Sequence, residues 1–218
     1  MEPDGGLAVH ADLSEYATGH LNDMVVDAHG RAYVGNFGFD LMSEAPVAPA
    51  PLVRVDPDGT TSVVTEPLYF PNGAVISGET LIVAETFGHR LSAFDIGADG
   101  DLSPRRDWAR FGPRPDTTDV GEALAALSVA PDGMCLDAEG AVWIADALGN
   151  RALRVREGGE IVDEVSAGDV GVYAVVLGGS DGRTLYLCTA PGFAEHERRH
   201  TREAKLLAVR VEVPAAGI

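Results

Sequence analysis

The sequence predicts an all-β propeller with about four blades in this chain. Three observations predict it. One apolar pattern recurs along the chain at a roughly constant period. Each copy expands into about four short strands joined by Gly or Asp-Gly turns. No helices alternate with those strands, which disfavours a parallel α/β sheet.

The pattern is clearest at 131–146: a polar residue at a bend, an apolar strand, a tight turn at Glu139-Gly140 and a second apolar strand. Residues 22–36 match it nearly position for position, and 71–85 match it with a shorter turn. A degenerate fourth copy begins at Tyr173, turns at 180–183 and resumes at Thr184.

Taken in order, residues 7–13 alternate weakly and read as one stray strand. The first repeat places strands near 23–27, 31–36, 52–56 and 61–64, with an Ala- and Pro-rich loop at 38–51. The second places them near 73–76, 80–84, 90–95 and 104–108. An insertion at 112–130 follows, with one or two helical turns around Glu122–Leu127. The third repeat has strands near 133–137, 141–145, 151–156 and 160–165, and the fourth ends at 205–211. The charged stretch 195–203 reads as a solvated loop. The blades are therefore expected at about 22–65, 72–110, 132–167 and 172–213 of a single incomplete propeller domain spanning 1–218.

An apolar content of 45% supports a core, and no run approaches the ~20 apolar residues of a membrane span. The first residues lack the basic and apolar regions of a secretory signal. The net charge of −18 argues against nucleic acid and anionic membranes, since contact with phosphates would be repulsive. Cys135 and Cys188 both fall inside apolar strand patterns and read as small core residues in a reducing, cytoplasmic setting.

Asn72 and Asp132 occupy the same position in successive repeats, just before the innermost strand, where a propeller aims side chains into its channel. Their oxygens suit Ca²⁺, Mg²⁺ or Mn²⁺. The plainer reading is that Pro-Asn-Gly and Pro-Asp-Gly are good turns. Asn22 is the equivalent residue of the first repeat. Glu85 and Asp146 end second strands, where capping a loop is the simpler role. There is no Gly-x-Ser-x-Gly elbow, no His-Glu-x-x-His zinc motif and no Gly-rich phosphate loop.

At His20-Leu21-Asn22-Asp23, 35–40, Pro71-Asn72-Gly73, 83–87 and 131–137 the sequence resembles the SMP-30/gluconolactonase/regucalcin-like family. The resemblance covers nearly the whole chain. It implies a six-bladed propeller of which about two blades are absent here, together with the family's metal-binding Glu in its Glu-Gly-Pro-type motif. It implies one divalent metal ion (Ca, Mg, Mn or Zn) held by Asn72 and Asp132, and substrate contacts from Asn22, His20 and Asp40. His20 stands where some family members carry Arg. The implied activity is lactonase or esterase-type hydrolysis of a small-molecule sugar lactone. In it, metal-activated water attacks the carbonyl and Asp132 acts as general base.

Two alternatives stand beside this. One is a catalytically inactive propeller fragment or binding scaffold that lacks the metal-binding Glu. The other is a propeller esterase of the strictosidine-synthase-like or paraoxonase-like kind. Open blade faces at the two ends of such a chain predict self-association.

Overall fold

A computed structural model describes residues 5–217. The chain folds into four antiparallel sheets. The first holds β1 (Leu21–Val26), β2 (Ala32–Asn36), β3 (Val53–Val55) and β4 (Thr61–Val63), in that order. The second holds β5 (Pro71–Ser77), β6 (Thr80–Glu85), β7 (Arg90–Asp95) and β8 (Arg106–Arg110), and a short helix, α1 (Val120–Ala125), follows it. The third holds β9 (Pro131–Leu136), β10 (Val142–Asp146), β11 (Arg151–Val155) and β12 (Ile161–Ser166). The fourth holds β13 (Gly171–Gly178), β14 (Thr184–Ala190) and β15 (Lys205–Arg210), with the one-turn helix α2 (Glu195–Arg198) in the last connection. The four sheets stand in a propeller arrangement.

Local chemistry explains the hairpins. Asp27 and Asp137 each accept hydrogen bonds from the backbone N–H groups two and four residues on, and so close their turns. Each also pairs with an arginine: Asp27 with Arg31, and Asp137 with Arg154, both at 2.6 Å. Asp119 caps α1 by accepting from the Glu122 N–H.

The core lies between consecutive sheets. Tyr33 and Leu52 meet Leu81, Val83 and Phe94 between the first and second. Ile82, Leu91 and Trp108 meet Val142, Ile144 and Leu153 between the second and third. Trp143 meets Val175, Leu185 and Leu187 between the third and fourth. Alternation along each strand feeds both of its interfaces, which is why β10 is buried at every residue.

Near the axis the innermost strands β1, β5, β9 and β13 lie side by side. Their backbones come so close that a Cβ on Gly73 would sit 2.5 Å from the Asp132 carbonyl oxygen, and one on Gly133 would sit 2.8 Å from the Ala174 Cα. Backbone cannot step aside cheaply, so these two positions require glycine.

Four expectations change. Residues 7–13 form no strand, and Leu7 and Val9 are 91% and 85% exposed. The segment instead lays Leu13 on Val34, Val53 and Val55 of the first sheet. The last strand of the second sheet begins at Arg106 rather than 104, since Pro104 has no N–H to donate. The stretch 195–203 opens with the α2 turn, although its residues stay largely exposed as expected. Cys188 is exposed rather than buried, and both cysteines are free thiols.

Register explains the last point. Cys188 pairs with Ala174 and Leu206, on the face of the fourth sheet turned away from the third. Val176 and Leu206 on that face are 54% and 65% exposed. Cys135 is only partly buried, yet burial pushes its thiol up to about 12.

Gly133→Ala is expected to cost about 1–3 kcal/mol through overpacking against backbone. Gly121→Ala within α1, where the new Cβ meets only an Asp119 oxygen at 3.4 Å, should be neutral or slightly stabilising. Urea unfolding of both variants checks this; equal midpoints would show that the axial contact is loose.

Candidate functional site

The site is built by a defect repeated in every innermost strand. Pairing in the first sheet jumps from Leu21↔Asn36 to Met24↔Val34, so Asn22 and Asp23 oppose a single residue. In the second sheet it jumps from Pro71↔Glu85 to Ala74↔Val83, which leaves Asn72 and Gly73 in the bulge. In the third it jumps from Asp146↔Pro131 to Ile144↔Met134, which leaves Asp132 and Gly133. In the fourth the irregularity falls at Tyr173, between Val172 and Ala174. A bulge frees a residue from the ladder and re-aims its side chain. Four consecutive bulges therefore turn Asn22, Asn72, Asp132 and Tyr173 into one cavity of about 160 Å³.

Hydrogen bonds tie these residues across the sheets. The Asn22 amide donates to the Pro71 carbonyl at 3.2 Å. The Asn72 amide donates to Thr86 Oγ1 at 3.2 Å, and that hydroxyl donates to the Pro131 carbonyl at 2.7 Å. Each link reaches the start of the next innermost strand, so the polar side chains also staple one sheet to the next.

The rest of the lining comes from loops at the same end of the sheets. Phe37, Leu41 and Met42 follow β2, Phe87 follows β6, Leu148 follows β10 and Phe193 follows β14. Phe37 stacks on Phe70 with ring centroids 4.3 Å apart, and Phe70 meets Phe39 and Phe87 edge-on or tilted.

Electrostatics single out Asp132. Loss of hydration, reinforced by the nearby Asp23 carboxylate, pushes its carboxyl up to about 7; hydrogen bonds from Asn72 and the Gly133 backbone pull the other way. Partial desolvation raises Asp23 as well, although part of that side chain stays in solvent. Burial, then the charge of Asp132, raises the Tyr173 phenol.

The other expected site residues lie elsewhere. His20 is exposed and sets its ring edge-on to Phe37 at 5.7 Å. Asp40 is exposed, and accepts from the Ser43 hydroxyl and backbone N–H, which hold its carboxyl below the usual range. Neither lines the cavity.

Glu85 and Asp146 are fully buried and serve their loops. Glu85 takes the Arg90 guanidinium at 2.8 Å and the Tyr69 N–H at 2.9 Å. Asp146 takes Arg151 and the Ala130 N–H, both at 2.9 Å. Asp23 and Tyr173 are the residues the sequence reading left out. Asp23 carried a signal, because it stands where the next two repeats have Gly73 and Gly133.

Comparison with known proteins agrees with this architecture. The family described as SMP-30/Gluconolactonase/LRE-like region matches residues 2–191. The chain belongs to that family. Curated relatives of this SMP-30/gluconolactonase/LRE-like chain include regucalcin of Danio rerio, 27% identical over 83% of this chain and 57% of its own length. The 6-deoxy-6-sulfogluconolactonase of Pseudomonas putida is 28% identical over 94% of this chain and 68% of its own. A pentonolactonase of Haloferax volcanii is 27% identical over 98% and 69%. The chain thus spans between about half and two thirds of the length of these relatives.

Among solved structures, a calcium-binding protein named regucalcin from Agrobacterium tumefaciens superposes with a TM-score of 0.72 at 18% identity, covering 97% of this chain and 68% of that one. A gluconolactonase from Xanthomonas campestris superposes with a TM-score of 0.57 at 22% identity, over 78% and 54%. At these identities the superpositions establish the propeller fold.

The raised Asp132 carboxyl has a signature in stability. Folding favours its neutral form. Its stabilising contribution is fully present below the unfolded value of 3.8 and is lost as pH rises through about 7. In chelator-treated protein, the melting temperature should therefore fall relative to that of Asp132→Asn between pH about 4 and about 8. Parallel profiles would mean that Asp132 titrates as an ordinary surface acid.

Proposed function

We propose that this chain carries the reactive site of a lactone hydrolase, opening a cyclic ester with water. The observation that carries the reading is the convergence of Asn22, Asn72 and Asp132 on one cavity. A carboxylate set among two amides can take a proton from water and return it. The lactonase names of two curated relatives point the same way.

In this mechanism Asp132 takes a proton from the attacking water as the new C–O bond forms. It returns that proton to the ring oxygen as the old bond breaks. One water is consumed and one hydroxy acid leaves. Asn22 and Asn72, fixed by their bonds to Pro71 and Thr86, orient the ester across from Asp132. Tyr173 closes the fourth side. His20 and Asp40 contact only those parts of a substrate that project beyond the cavity.

The donor set suits a hard divalent ion. Asn72 and Asp132 would hold it, with the Asp23 carboxylate near enough to raise Asp132. A cation held there would offset the repulsion that the Asp23 carboxylate exerts on Asp132. Oxygen donors favour Ca²⁺, Mg²⁺ or Mn²⁺ over Zn²⁺. No group of three or more His, Cys, Asp or Glu side chains gathers among the described residues. Water would then supply the remaining ligands, as it commonly does for Mg²⁺. When bound, such an ion polarises the ester carbonyl and lowers the pKa of a water.

Base titration of the opening of δ-gluconolactone and of γ-nonalactone, with Ca²⁺, Mg²⁺ and Mn²⁺ in turn, tests the reading. Asp132→Asn should lower the enzymatic rate by about 10²–10⁴-fold. Calorimetric titration should give one Ca²⁺ or Mn²⁺ site, weakened in Asp132→Ala. A rate equal to the spontaneous one for both lactones with every ion, or an unimpaired Asp132→Asn, would sink the hydrolase reading; ion or ligand binding without turnover would favour a binding propeller.

A further inference from the structure

We infer that the cavity selects lactones bearing an apolar chain or ring over polyhydroxylated ones. This rests on the reading of the site as a lactone hydrolase and narrows its substrate class.

Among the described residues the polar side chains of the cavity are those of the bulges and Thr86. Apart from Thr86 the loops contribute apolar side chains, including Phe37, Met42, Leu148 and Phe193. A sugar lactone presents several hydroxyls around its ring. Each one buried against this collar without a partner would cost about 1–3 kcal/mol. His20 and Asp40, the polar side chains expected to contact substrate, lie outside, and Asp40 is occupied by Ser43.

Size points the same way. A dry apolar cavity of roughly 150 Å³ holds a benzene-sized molecule. About 160 Å³ here accommodates a five- or six-membered ring and little more. A substituent must therefore leave across the rim.

The rim is built to receive one. Met42, Leu148 and Phe193 are 40%, 41% and 41% exposed, apolar area that a hydrocarbon would cover. A second cavity of about 370 Å³ shares Leu41, Met42, Leu124 and Phe193 with the first, so the two adjoin across those four side chains. Val120 extends its apolar wall, and Glu44, Glu195, His196 and Arg199 complete it. A chain attached to the ring would run from the first space toward the second across the shared side chains Leu41, Met42, Leu124 and Phe193.

The reaction stays balanced: water adds to the ring carbonyl, the ring C–O bond breaks, and the product is a hydroxy acid that keeps the apolar chain.

The test uses the whole chain with Ca²⁺ or Mn²⁺ present. Rates are measured for γ-butyrolactone, γ-hexalactone, γ-nonalactone and δ-gluconolactone. In parallel, ligand-observed NMR measures binding of γ-butyrolactam and γ-nonalactam, whose rings resist hydrolysis. The expected result is a kcat/KM that rises up to about fourfold per methylene, the factor for burying one CH₂. Phe193→Ser and Leu148→Ser, both at partly exposed sites, should flatten that rise.

Equal rates along the series, with δ-gluconolactone the best substrate, would overturn the inference and leave the hydrolase reading intact. No turnover of any lactone, with γ-nonalactam binding tighter than γ-butyrolactam and the difference lost in the two variants, would overturn the hydrolase reading and uphold the apolar selectivity. No turnover and no preference between the lactams would overturn both.

Discussion

Near the axis the innermost strands touch backbone to backbone, and the arrangement of the sheets depends on that contact. Gly73 against Asp132, and Gly133 against Ala174, leave no room for a side chain. The spacing fixes how near each sheet stands to the next, and so how Leu91 meets Ile144 and how Trp143 meets Val175. Farther from the axis the sheets diverge, and larger residues such as Trp108 and Phe94 occupy their interfaces.

The same contact creates the site. A strand that must present glycine to its neighbour and a polar side chain to the channel cannot do both in regular pairing, because successive side chains alternate between faces. The bulge resolves the conflict by setting two residues against one. Asn72-Gly73 and Asp132-Gly133 are the same solution used twice: the first residue serves the cavity and the second serves the packing. In the first sheet the second place is taken by Asp23. Burial does most to raise the Asp132 carboxyl, and this exchange adds a nearby carboxylate that reinforces it.

Much of this was legible in the sequence. The repeat announced the four sheets, because the alternation of apolar residues and the Gly or Asp-Gly turns are local signals. Asn22, Asn72 and Asp132 could be placed together by their shared position in the repeat. Tyr173 could not, because its repeat lacks the Asn or Asp that marks this position in the others. The apolar collar was also hidden: Phe37, Phe87, Leu148 and Phe193 lie in loops of different length and composition, brought together only by topology. Cys188 was misjudged for a related reason. Alternation tells which residues share a face, but not whether another sheet covers it. The segment 7–13 has the right alternation but joins no ladder, and pairing decides whether an extended segment becomes a strand.

Asn22 belongs to the first sheet, Asn72 to the second, Asp132 to the third and Tyr173 to the fourth. The cavity therefore takes a side chain from every sheet. A ligand seated on Asp132 that also touches Asn22 and Tyr173 would act as a brace between the first and fourth sheets, slowing amide exchange in strands it barely contacts.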